Sequence, residues 1–259
     1  MYEWPSNDWN LFLLVAARIL ALVETAPLLS GQGVPQVAKL GLAGFAAAAV
    51  FPAVKAAGYP MPDDGAAYAL LVLGEAMIGV IIGFFLSILY AAFVTAGQFF
   101  SLQIGFGASE TFDPLAEVEI PLMGQYLNLM AMFAFISTNG FQKLFLVGVQ
   151  GSFGAMRAID LVARRQDMVQ FLMRSTGALL QQALILAMPV LGTLFVISVA
   201  MGLMSKAAPQ MNLLTEGFPL SLSAAYLLLL TSLPFLMEAF SRLIESGFGD
   251  LAILVGGTL

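Results

Sequence analysis

The chain has 259 residues, 60% of them hydrophobic and only 10% charged, with a mean hydropathy of +0.92 and a net charge of -6. A soluble domain carries roughly a quarter charged residues, so this composition points to a lipid or lipid-like environment, and the acidic balance argues against a nucleic-acid-binding surface. There is no Cys and no His, which excludes disulfides, thiol nucleophiles and most transition-metal sites and removes the usual general base and pH switch.

In chain order, Met1 to Asn10 opens with Glu3 and Asp8 rather than a basic region, unlike a cleavable signal. Trp4 and Trp9 read as interfacial anchors, the alternative being a disordered tail. Leu11 to Leu29 is apolar but interrupted by Arg18 and Glu24. Val37 to Val54 is alanine-rich and bounded by Pro35 and Pro52. A turn over Lys55 to Gly65 leads into Ala66 to Phe100, which would be about 50 Å long as one helix and contains Glu75 and the pair Gly79-x-x-x-Gly83.

Next comes an acidic loop, Gly105 to Pro121, carrying Phe106, Gly107, Glu110, Phe112, Asp113, Pro114, Glu117 and Glu119 and no basic residue. The flanking stretches Ala76 to Ser109 and Ile120 to Gln142 are free of charge. Such a loop has little reason to enter hydrocarbon, and its apolar side chains disfavour open water, which fits a wall or plug in a water-filled passage as well as a plain solvated loop. Asp113-Pro114 predicts a short helical turn, Asp as N-cap and Pro at the first position.

Leu122 to Thr138 and Phe141 to Met156 follow, joined by the turn dipeptide Asn139-Gly140. The stretch from Arg157 to Arg174 holds Arg157, Arg164, Arg165 and Arg174 against Asp160 and Asp167, the one basic cluster of the chain. Gly177 to Met204 and Phe218 to Phe240 are a last apolar pair, and Ser241 to Leu259 reads as a tail. The fold class is all-α, a set of hydrophobic helical hairpins in one domain. Several segments fall short of the roughly 20 residues that cross a bilayer, which suggests packing mainly against other protein. The positive-inside rule would put the arginine cluster in the cytoplasm.

Polar groups in this setting need partners. Arg18, Glu24, Glu75 and Glu238 sit in or beside apolar segments, where a lone charge costs several kcal/mol, so they should pair, take up a proton or face water. Polar contacts between helices or subunits are favoured over a proton relay, because Ala76 to Ser109 lacks repeated carboxylates. Gly79 and Gly83 lie one turn apart and suit close helix packing, or are ordinary helical glycines. The methionines Met123, Met130, Met132, Met201, Met204 and Met211 suit adaptable contacts or simple core filling. Gly247-Phe248-Gly249-Asp250 has the shape of an aspartyl protease motif but lacks a second facing Asp. No catalytic, cofactor or metal site is expected.

Two stretches bring a family into view. Ala96-Gly-Gln-Phe-Phe-Ser-Leu-Gln-Ile-Gly-Phe-Gly107 is followed by Phe112-Asp113-Pro114, Leu127-Asn128-Leu129 and Asn139-Gly140. Pro189-Val-Leu is followed by Gly202-Leu-Met-Ser-Lys-Ala-Ala-Pro209-Gln210-Met-Asn212 and Gly217-Phe218-Pro219-Leu220. In this order and spacing they resemble the FliR family of flagellar export-gate proteins, with injectisome counterparts a less favoured match. The resemblance implies a non-enzymatic subunit that joins FliP-like and FliQ-like proteins in the inner membrane at the flagellar basal body. Together they would form the channel for unfolded flagellar proteins, with FlhB-like and FlhA-like partners and much of the assembly on the periplasmic side.

The resemblance further implies that residues 1–176 are FliP-like and 177–259 a FliQ-like hairpin and tail. By it, Gly105 to Pro121 becomes a channel plug, with Phe106 and Phe112 as its seal. Lys206, Pro209, Gln210, Asn212 and Gly217 become a partner-facing hairpin tip near the cytoplasmic entrance. It also weakens the positive-inside placement. A stand-alone secondary transporter or ion channel, with Glu75 or Glu238 in its path, is the alternative.

Overall fold

The computed structural model describes residues 6–31, 33–62, 64–104, 122–161, 163–207 and 213–256, and among them there are helices and turns but no β-strand. The elements are α1 (Ser6–Thr25), α2 (Gln36–Ala56), α3 (Gly65–Ile104), α4 (Leu122–Ser137), α5 (Gly140–Lys143), a π-helical stretch (Leu144–Gly151) and α6 (Ser152–Ala155). A 3-10 turn (Ala158–Asp160), α7 (Arg165–Ala207) and α8 (Leu213–Val255) complete the chain.

The apolar spacing explains which face each helix buries. Leu11, Leu14, Val15, Ile19, Leu22 and Val23 recur at three- and four-residue intervals, giving α1 one continuous buried stripe. The buried face of α2 is instead narrow and mostly small, Ala43, Ala47, Val50 and Val54, and this lets it lie close against α1. Lys39 meets Glu24 at 3.1 Å and Lys55 meets Asp8 at 2.5 Å, so an ion pair closes each end of this antiparallel pair. Pro52 does not end α2, as expected from sequence. It sits within the final turns, where its missing N–H forfeits one bond and the helix continues to Ala56. The stop comes at Gly58, whose φ of +68° is the left-handed conformation that ends helices.

Among the described residues, four helical stretches are long and apolar enough to cross a membrane: Gln36–Ala56, Gly65–Gln103, Arg165–Met204 and Pro219–Val255. Met123–Ser137 with Gly140–Ala155 could together make a fifth. The break between them is at Asn139, with φ of 55°, which Asn tolerates better than most side chains.

Two helices run further than hydropathy marks. α7 begins at Arg165, inside the basic stretch, because Arg, Gln and Met favour helix as readily as apolar residues do. α8 continues through the expected tail to Val255, since Phe240, Ile244, Phe248, Leu251 and Val255 prolong one buried stripe.

The chain forms two compact units. One comprises Met1–Leu89, Thr138–Thr176 and Ile244–Leu259; the other comprises Tyr90–Ser137 and Gly177–Leu243. In the first, Phe85 packs on Phe171 with ring centroids 4.9 Å apart. In the second, Phe93 packs on Phe240 at 4.4 Å and Tyr90 on Phe135 at 5.9 Å.

Candidate functional site

The loop Gly105–Pro121, with Phe106, Gly107, Glu110, Phe112, Asp113, Pro114, Glu117 and Glu119, lies outside the described residues, as do Pro209, Gln210 and Asn212. What is described is the pair of stems that carry the loop. Near the end of α3, Ala96 and Phe100 are fully buried; at the start of α4, Met123 and Leu127 are buried too. Between them Gly97 faces Gly124. A Cβ on Gly97 would stand 2.5 Å from the Gly124 Cα and 2.6 Å from both the Gly124 nitrogen and the Met123 carbonyl oxygen. The two backbones touch, and only a residue without a side chain allows this. The helices on either side of the loop are therefore in backbone contact.

Gly79 and Gly83 face α1. A Cβ on Gly79 would collide with the Arg18 carbonyl and approach Ala21; on Gly83 it would collide with Thr25. The Thr25 hydroxyl is occupied by the Ala21 carbonyl at 2.8 Å, and Ser87 donates to the Thr25 carbonyl at 2.9 Å, so the neighbours have bonds of their own to lose. Lys206 is exposed in the last turn of α7, and Gly217 is buried near the start of α8.

The most elaborate polar site is one whose partners the sequence does not reveal. Arg18 on α1 and Glu75 on α3 are both buried, and Nε of Arg18 donates to Glu75 Oε2 at 2.5 Å. Arg18 also donates to Ser152 Oγ at 2.9 Å and to the Met156 carbonyl at 2.7 Å, and its guanidinium carbon stands 3.9 Å above the Phe153 ring. Glu75 in turn accepts the Tyr59 hydroxyl and the Ala158 N–H, the latter at 2.9 Å. Burial raises the Tyr59 phenol well above its ordinary range, helped by the adjacent Glu75 charge, so Tyr59 stays a donor. Gly74 supplies the room, its missing Cβ lying where the Ala158 methyl approaches.

Each partner satisfies a group that would otherwise be a buried, unpaired charge. Sequence marks Arg18 and Glu75 as charges needing company. It gives no sign that they meet each other, nor of Tyr59, Ser152 and Phe153, which are ordinary residues in their own segments. Glu24 pairs with Lys39, while Glu238 pairs with Arg242 on an exposed surface at 3.1 Å. Among the described residues no cluster of three metal-ligating side chains occurs.

Long apolar helices, tied to one another by buried polar bonds, define an all-α membrane protein. Comparison with known sequences narrows that class. Residues 9–247 match the family described as bacterial export proteins, family 1, and the chain belongs to that family. Over 259 residues, 98% of each chain, it is 28% identical to the flagellar biosynthetic protein FliR of Escherichia coli (strain K12). The protein of the same name from Bacillus subtilis (strain 168) is 30% identical over 251 residues, 95% of each chain. That from Borreliella burgdorferi is 33% identical over 195 residues, 75% of this chain and 72% of the relative.

Proposed function

We propose that the protein is a non-enzymatic subunit of the flagellar type III protein export gate, assembled with FliP-like and FliQ-like subunits into the channel that unfolded flagellar proteins cross. The observation that carries this is the family match across residues 9–247, with relatives named flagellar biosynthetic protein FliR over nearly the full chain. The relatives' name also favours flagellar over injectisome use. The apolar side chains that α7 and α8 leave exposed, among them Val196, Leu230 and Phe235, support an assembly in which neighbouring helices cover them. In this reading residues 1–176 are the FliP-like part and 177–259 the FliQ-like part. The protein belongs to the bacterial inner membrane at the flagellar basal body, with much of the assembled gate on the periplasmic side. FlhB-like and FlhA-like proteins are its further partners, FlhB-like protein meeting the hairpin tip of Lys206, Pro209, Gln210, Asn212 and Gly217.

Within the gate, Gly105–Pro121 is the channel plug. The close approach of the flanking helices at Gly97 and Gly124 supports this, because it ties together the two elements that carry the segment. Phe106 and Phe112 form the apolar seal, and Glu110, Asp113, Glu117 and Glu119 keep the segment wettable. Deleting Gly107 to Glu119 should raise membrane leakage of small ions in cells that still assemble the gate. An unchanged leak with normal assembly would sink the plug reading. A cysteine at Phe112, in a chain without native Cys, should cross-link to cysteines scanned along the pore face of a FliP-like subunit.

A stand-alone transporter would need a carboxylate open to substrate. Glu75 is committed to Arg18, Tyr59 and Ala158, which weighs against that reading.

A further inference from the structure

The basic side chains are shared out unevenly. Arg18, Lys39, Lys55, Lys143 and Arg242 each lie against a carboxylate, Glu75, Glu24, Asp8, Glu245 and Glu238 respectively. Arg157, Arg164, Arg165 and Arg174 share one stretch with only Asp160 and Asp167, and none of the four forms an ion pair among the described residues. In a chain of net charge -6, a group of cations without internal counter-ions is available to an external anion.

Two of these arginines line one cavity. It has a volume of about 390 Å³ and lies wholly within the first unit, against the first turns of α7 and the last turns of α8. Asp167, Gln170 and Arg174 recur at the spacing of one helical face and line it, and Arg164 stands just before them. Arg164 uses one N–H on the Ala155 carbonyl at 3.2 Å and keeps others for a ligand. The remaining lining is apolar: Met168 and Phe171 from α7, and Ile253 from α8. Ile253 is 79% exposed, a large apolar surface beside guanidinium groups that form no ion pair among the described residues.

A site cationic on one side and apolar on the other fits an amphiphile with an anionic head. Both helices that build it contain stretches apolar enough to cross a membrane, Arg165–Met204 and Pro219–Val255, and the cavity lies toward one end of each. Basic pockets between such helices bind phospholipid head groups. We propose that this cavity holds the phosphodiester headgroup of an anionic phospholipid. Arg164 and Arg174 pair the phosphate, Gln170 donates to it, and Met168, Phe171 and Ile253 cover the first methylenes of the acyl chains. Asp167 opposes the bound anion and sets the affinity below what the arginines alone would give.

The test uses the full chain, purified in detergent and offered dioleoyl phosphatidylglycerol or dioleoyl phosphatidylcholine, with retained lipid read by native mass spectrometry. Wild-type protein should prefer phosphatidylglycerol by at least about tenfold, given the usual contribution of a basic residue near an anionic headgroup. R164Q/R174Q should lose that preference, R157Q/R165Q should keep it, and D167N should strengthen it; thermal unfolding of each variant checks that it is folded. Equal retention of the two lipids by wild type, an equal loss in R157Q/R165Q, or weaker retention in D167N would overturn the proposal. So would displacement by glycerol phosphate at concentrations similar to the lipid, which would make free phosphate the ligand. R164Q/R174Q that retains lipid normally but no longer associates with co-produced export subunits would also overturn it, in favour of a protein carboxylate.

Discussion

Arg18 touches a carboxylate on α3 and, from the short stretch Ser152 to Met156, a hydroxyl, a carbonyl and an aromatic face. Replacing it with Met leaves Glu75 buried without its counter-charge, a loss of about 3–5 kcal/mol by the usual cost of breaking a buried pair. Arg18→Met with Glu75→Leu should recover much of that, because two apolar side chains replace a pair whose desolvation was expensive. Denaturant titration of the detergent-solubilised chain measures both, and a single variant as stable as wild type would show the pair to be dispensable.

Tyr59 adds a pH signature. Its phenol is raised in the folded chain by burial and by Glu75, so the neutral form is favoured there. The stability this carries is present below the ordinary phenol range near pH 10 and is lost as pH climbs beyond it. Tyr59→Phe should flatten the alkaline decline of Tm.

The same scale separates glycines that matter from those that do not. Gly79→Ala drives a methyl into the Arg18 carbonyl and should cost about 1–3 kcal/mol, as overpacking does. Gly192→Ala meets open space within a helix and should gain up to about 1 kcal/mol. Thermal unfolding of the two variants in parallel decides whether packing or helix propensity governs each.

At the level of elements, α3 and α4, which flank the acidic loop, are joined by touching backbones at Gly97 and Gly124. Gly97→Ala should part the stems, and the expected result is raised ion leakage in assembled gates without deletion of any loop residue. Hydropathy located these helices and the Asn139 turn well, because burial and turn chemistry leave local marks in sequence. It placed the start of α7 and the end of α8 poorly. The polar residues from Arg165 to Arg174 are competent helix formers, and the stripe from Ile244 to Val255 is diluted by Glu245, Ser246 and Asp250 on other faces. The backbone contact at Gly97 and Gly124 was invisible for another reason: a glycine is the same letter whether it meets a neighbour or open space. The Arg18–Glu75 meeting belongs to the same class, since nothing local encodes a partner 57 residues away.

For the whole molecule, the exposed apolar flanks of α7 and α8 set a dependence on company. Leu230 is 78% exposed and Phe235 73%, on helices too long to be covered by a bilayer alone. Cells producing this chain alone should degrade it several-fold faster than cells that co-produce FliP-like and FliQ-like subunits, read by pulse-chase. Equal lifetimes would favour a self-sufficient transporter over a gate subunit.

The polar anchor also has a timetable. Arg18 leaves the ribosome early, but Glu75 follows 57 residues later, and Ser152 and the Met156 carbonyl come 134 and 138 residues later. At synthesis rates of roughly 5–20 residues per second, the nascent chain waits about 7 to 30 s for the last of these bonds. Until then a guanidinium group must be held by water, lipid phosphate or an insertion factor. Biogenesis, more than the finished fold, is where this arginine is most exposed.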